Sequence, residues 1–163
     1  RKGDDYHLTD IISDFLSRGR SSRFYEKLVK DKRQFIELNA YIMGSIDSGL
    51  FIISGKPASN IKLKQAYKLI REELEDLAAN KIYEKELNKL KNKIVSTKCF
   101  QDMNVLNKAM RLGFHELIGD VADINYELEK YNHITSDMIQ NISEGLFAEN
   151  NCSVLYYKSK ANA

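Results

Sequence analysis

Three histidines, two cysteines and 23 acidic side chains are the groups in this chain that could hold a metal or move a proton. His7, His115 and His133 fall in three separate segments, and none has a second His at helical spacing. A zinc site needs three or four convergent ligands. The pair His115-Glu116 in FHELIGD lacks the partner that would complete one, so each His reads as a cap, a surface ring or a satisfied core group. Cys99 and Cys152 are too few for a disulfide framework or a zinc knuckle. They read as reduced, mostly buried thiols. No GxSxG, GxGxxG or P-loop pattern occurs. The carboxylates of REELED and YEKELNKLKNK are interleaved with cations, as on a solvated helix face with i,i+4 pairs. Arg18, Arg20 and Arg23 surround Ser21 and Ser22. They offer an anion a place at a helix N-terminus, or they merely flank a cap. The residues therefore predict no catalytic, cofactor-binding or metal-binding side chain.

The bulk numbers agree with an ordinary globule. At 163 residues, with 43% hydrophobic and 29% charged residues, the chain is long enough to bury a real core as a single domain, 1–163. The 25 basic and 23 acidic residues leave a net charge of +2, which builds no strong field toward nucleic acid or a membrane. Its apolar runs fall far short of the ~20 residues of a membrane span. The chain begins at Arg1 rather than Met, which predicts a piece of a longer protein.

The elements that must position any site are organised around residues 36–57. Ile36, Leu38, Ala40 and Ile42 alternate with Glu37, Asn39, Tyr41 and Met43, the period of a half-buried strand. Leu50–Ile53 is continuously apolar and predicts a more deeply buried strand. Gly44, Ser45, Asp47, Ser48 and Gly49 supply the turn between them. This antiparallel hairpin is predicted as the centre of a sheet covered by helices on one face.

Ahead of it, residues 5–18 have helical spacing and Gly19 as a stop. Ser21 or Ser22 then caps a second helix running to about Arg33. After the hairpin, Ser59 or Asn60 caps a helix over 61–78. Residues 83–118 read as one long helix, or two joined near Phe100, with a buried face at Leu87, Leu90, Ile94, Met103, Leu106, Met110, Phe114 and Leu117. Asp120 and Asp123 open the next helix. Thr135 caps the last one, with Met138, Ile139, Ile142 and Leu146 inward. CSVLYYK at 152–158 predicts a third strand. The class is α+β, with a small, mostly antiparallel sheet.

LSRGRSSRFYEKLVKDK, the strand after it, the GSIDSGLF turn and ISGKP together resemble the C-terminal, non-zinc-binding domain of the insulinase/pitrilysin family of zinc metallopeptidases, which includes the mitochondrial processing peptidases and bacterial homologues. MRLGFHELIGD at 110–120, INYELEKYNHITSDMIQNISEGLF and the closing ENNCSVLYYKS extend the resemblance from about Asp4 to Lys160. In that family the domain begins with a strand ahead of the first helix. Here that strand is missing.

The resemblance implies a division of labour. Paired α+β domains form two halves around a closed chamber, and zinc is held in another domain by an H-x-x-E-H helix. This chain has no such motif. Zinc is thus implied for the parent protein or a partner subunit and not for this domain. The resemblance also implies an Arg and a Tyr that steady the substrate, from a pattern L-R-E-K-x-G-L-x-Y. Laid on LVKDKRQFI, the Arg position is Val29 and the Tyr position is Ile36. Both roles are lost, and Arg33 and Tyr41 stand out of register for them. The implied function is a noncatalytic chamber wall and interface. Its partners are other domains of the peptidase or a homologous subunit, with a peptide substrate in the full assembly. The alternative is an interaction module that keeps the fold with no peptidase activity in the parent protein.

Overall fold

The computed structural model describes residues 4–44 and 49–158. Helix α1 (Asp4–Ser17) lies at the centre of the domain. Leu8, Ile11, Ile12, Phe15 and Leu16 are buried on it, and so are His7, Ser13 and Asp14 on its remaining sides. A helix enclosed all round belongs to the interior. Gly19 follows with φ of +91°, a left-handed stop that only glycine adopts without strain. The hairpin predicted as the organising element is instead an outer wall laid against α1, tied to it where the Ser17 hydroxyl donates to the Ala40 carbonyl at 2.8 Å.

The second helix differs from its prediction in kind. The Ser22 hydroxyl does not accept from the helix; it donates to the Gly19 carbonyl at 2.7 Å. The chain then widens into a π-helix, Tyr25–Asp31, in which the Lys32 N–H reaches five residues back to the Lys27 carbonyl at 3.3 Å. Arg33 ends it with φ of 50°, and the Gln34 N–H closes onto the Leu28 carbonyl at 2.9 Å.

Strands β1 (Phe35–Met43) and β2 (Leu50–Pro57) pair antiparallel, with Ala40 opposite Ile53 and Ile42 opposite Phe51. The register shifts between Phe35 and Glu37. This bulge gives the strand one extra residue, so Phe35 and Leu38 face inward while Ile36 turns out and is 61% exposed. The predicted inward place of Ile36 is thereby corrected. Leu50–Ile53 is also less buried than predicted. Leu50 is exposed, and Phe51, Ile52 and Ile53 are half-buried, because only one face of the ribbon is covered. A Cβ at Gly49 would collide with the Met43 carbonyl oxygen, so the return strand needs glycine there. The turn chemistry predicted for Ser45, Asp47 and Ser48 lies outside the described residues.

Helix α2 (Leu63–Ala79) starts at Lys62, and no side chain caps it; Ser59 and Asn60 lie too far ahead. Its Ala66, Leu74 and Leu77 are buried. α3 (Glu84–Asp102) and α4 (Val105–Ile118) are two helices, broken slightly later than Phe100. There Asn104 Oδ1 accepts the N–H groups of Leu106 and Asn107 at 2.9 and 3.2 Å. Asp120 accepts from the Ala122 N–H at 2.7 Å and caps a 3-10 turn, Val121–Asn125, which leads into the short α5 (Glu127–Asn132). Thr135 caps α6 (Ser136–Leu146) as its position predicts. α6 buries Ile139 and Ser143, while Met138 is left at the exposed margin.

Residues 152–158 form no strand and are exposed throughout. β-propensity becomes a strand only where an edge engages the backbone, and here no partner strand does so. The α+β class holds, with a two-stranded sheet among the described residues.

Candidate functional site

A hollow lined by ionisable side chains lies beside α4. The predicted buried face of the long helical stretch holds only for its first half. Leu87, Leu90 and Ile94 are buried, whereas Met103, Leu106, Met110 and Leu117 are exposed and Phe114 is half-buried. α4 has turned its polar side inward. Arg111, Phe114, His115 and Ile118 help line a cavity of about 370 Å³ together with Tyr6 and His7 of α1, Lys98 of α3 and Glu127 of α5.

Glu127 is the hub of this cavity. Its carboxylate accepts from Lys98 Nζ at 2.6 Å and from Arg111 Nη2 at 2.6 Å, and His115 Nε2 stands 3.8 Å away. Arg111 also donates to Asp102. Burial works against ionising Glu127, but Lys98 and Arg111 outweigh it and hold the carboxyl below the usual range. Burial likewise opposes the charge on Arg111, and its bonds to Asp102 and Glu127 more than restore it. Behind the hub, the Tyr131 hydroxyl donates to Asp10 Oδ2 at 2.6 Å. Burial and the Asp10 charge push this phenol far above its ordinary range. The Tyr131 ring lies edge-on to His7, with centroids 4.9 Å apart, and Lys98 Nζ sits 5.3 Å from its centre. A carboxylate held ionised by two cations is a weak proton acceptor. The arrangement suits locking four helices together better than activating water.

The other candidate residues are dispersed. Arg18 donates to both oxygens of Asp14, at 2.9 and 3.2 Å. Arg23 reaches Glu73 at 2.8 Å and also Asp76, and Lys27 reaches Glu73 at 2.9 Å. Arg18 and Arg23 are thus engaged by carboxylates and Arg20 is exposed, so of the two alternatives for this cluster the anion site does not assemble. Burial pushes Asp14 up. Burial opposes the charge on Glu73 too, but its bonds from Lys27 and Arg23 bring it down.

Of the three histidines, His7 and His115 meet at the cavity and His133 is an exposed C-cap of α5. Among the described residues no group of three or more His, Cys, Asp or Glu has the geometry to hold a metal. Val29 is half-buried against the core, and Ile36 is exposed on the bulge. Cys99 and Cys152 are both exposed, which corrects their predicted burial. The hub itself escapes the sequence reading. Glu127 looks like an ordinary first-turn acid, and only the three-dimensional approach of Lys98 and Arg111 distinguishes it.

Fold and cavity together define an α+β domain whose helices are clamped by half-buried ion pairs. The chain belongs to the family described as the peptidase M16 inactive domain, whose family model matches residues 1–94. Solved structures share the fold at low identity. A protease from Helicobacter pylori superposes with a TM-score of 0.86 at 21% identity, over 92% of this chain and 36% of its own. A candidate zinc protease from Bordetella pertussis Tohama I gives 0.78 at 18%, over 91% of this chain and 82% of its own. The inactive peptidase domain of a candidate zinc protease from Bordetella parapertussis gives 0.84 at 16%, over 99% of this chain and 88% of its own. This chain therefore spans little more than a third of the H. pylori protease. No curated protein matches it significantly.

Proposed function

We propose that residues 1–163 act as one noncatalytic domain of a zinc metallopeptidase. The domain forms part of a chamber wall and packs against a zinc-bearing H-x-x-E-H domain elsewhere in the parent protein or in a homologous subunit. The observation that carries this reading is the match to the M16 inactive domain. The chemistry of the cavity supports it, since Glu127 is engaged by Lys98 and Arg111. On this reading the domain contributes surface to a bound peptide, and neither catalysis nor metal binding falls to its side chains. The apolar side chains Val29 and Ile36, at positions where the resemblance implies Arg and Tyr, favour a second reading: an interaction module in an assembly with no peptidase activity.

Purification of the assembly from its native source separates the two. The first reading predicts a copurifying H-x-x-E-H polypeptide, or the same motif in the parent chain, with chelator-sensitive cleavage of a fluorogenic peptide. An intact assembly with neither the motif nor cleavage would establish the second.

A further inference from the structure

Helices α3, α4 and α5 each bring a cation to the hollow beside α4: Lys98, Arg111 and Lys130. Lys98 and Arg111 answer the carboxylates of Glu127 and Asp102. Lys130 is left over. It follows Glu127 by one turn, which puts it on the same side of α5. No ion pair or side-chain hydrogen bond engages its ammonium among the described residues. Asp123, the remaining carboxylate of the lining, is exposed. Lys98 and Arg111 also keep N–H donors beyond those that Glu127 and Asp102 take. Their side chains are only 17% and 20% exposed, so bulk water reaches these donors poorly. The hollow is therefore rich in donors and short of acceptors.

The rest of its wall is apolar or aromatic, with Tyr6, Met110, Phe114 and Ile118. Its volume of about 370 Å³ is at the small end of the range for ligand sites, roughly 300–1,000 Å³. We propose that this hollow binds a small aromatic carboxylate. Its ring lies against Phe114 and Met110, and its carboxylate accepts from Lys130 and from the spare donors of Arg111. A single negative charge matches the single unanswered cation, whereas a phosphate dianion would be left half-compensated. A neutral ring would cover the Lys130 ammonium and give it no acceptor. The ligand joins α3, α4 and α5 where Glu127 already holds them. The proposal does not rest on the peptidase reading, and its failure would leave that reading untouched.

Calorimetric titration of the purified protein with 3-phenylpropionate tests it. Saturable binding of one molecule per chain is expected. Acetate lacks the ring, 3-phenylpropionamide the charge and inorganic phosphate both the ring and the matching charge. Each should bind at least about tenfold more weakly. Lys130→Gln should weaken 3-phenylpropionate at least about tenfold, the scale of one charge-assisted hydrogen bond, with circular dichroism unchanged. Lys130→Arg should keep the affinity. The histidines locate the site by NMR, because His7 and His115 line the hollow and His133 caps α5 outside it. The ring signals of His7 and His115 should move during the titration while those of His133 stay. Absence of binding, equal binding of any of the three control compounds, or a Lys130→Gln protein that binds like the parent overturns the proposal. So does a shift confined to His133.

Discussion

The two sides of α1 are built on different physics. On one side, the inner face of the hairpin and α6 close over it with apolar contacts and α2 packs on α6, Leu77 and Ile139 being fully buried. On the other side, α3, α4 and α5 are joined through Glu127, Lys98, Arg111, Asp102 and Tyr131, and the large apolar residues Val105, Leu106, Met110 and Leu117 of α4 face the solvent. The first side has the economy of an ordinary core. The second spends charge on the inside and leaves oil on the outside. Its stability therefore rests on geometry and pH, whereas that of the first rests on buried area.

The largest expected effect separates the two sides by truncation. Leu77→Ala should lower the unfolding free energy by about 2–5 kcal/mol, the scale for a fully buried leucine. Leu106→Ala, on the exposed side of α4, should stay within about 0.5 kcal/mol. Urea denaturation of the two variants measures both, and equal losses would mean that α4 has been placed wrongly.

Next in size is the hub. Glu127→Ala leaves Lys98 and Arg111 partly buried without their acceptor and should cost about 1–3 kcal/mol. Glu129→Ala, two residues away and exposed, should cost almost nothing. If both lose the same amount, the helices are not held by Glu127.

The pH dependence follows from Glu127 and from Glu73 of α2, which Arg23 and Lys27 engage. Glu73 and Glu127 have folded-state values below their ordinary 4.5. A lowered carboxyl favours the folded state above its unfolded value, and that contribution is lost as pH falls through the folded value. Asp14, raised by burial, acts in the opposite direction. Urea midpoints should therefore drop below about pH 4.5, and drop less steeply in a Glu73→Gln/Glu127→Gln variant. Parallel profiles for the variant and the parent protein would remove these carboxylates as the cause.

The smallest effects concern the two positions where the resemblance implies Arg and Tyr. Val29→Ala should cost about 1 kcal/mol, because Val29 packs on the core. Ile36→Ala, out on the bulge, should cost less than about 0.5 kcal/mol. A larger loss at Ile36 would show that the bulge itself depends on that side chain.

Much of the fold was legible because local rules suffice for it. The alternation of β1, the Gly19 stop, the Thr135 cap and the hairpin pairing each follow from a few neighbouring residues. What was not legible depends on neighbours distant in sequence. Periodicity identifies the apolar side of α4 but cannot say whether anything lies over it, and there the ion pairs of Arg111 with Asp102 and Glu127 chose the other side. One extra residue at the start of β1 is enough to turn Ile36 outward. The run at 152–158 has strand composition, yet a strand requires an engaged edge. The hub at Glu127 was not legible either, since Lys98 precedes it by most of two helices.

The most direct test of the central claim is a cleavage assay on the purified protein alone. A fluorogenic peptide is incubated with zinc and either the parent protein or the Val29→Arg/Ile36→Tyr double variant. Neither is expected to hydrolyse it, because restoring substrate-steadying side chains supplies no group that activates water. Zinc-dependent, chelator-sensitive cleavage by either protein would contradict the assignment of this domain as noncatalytic.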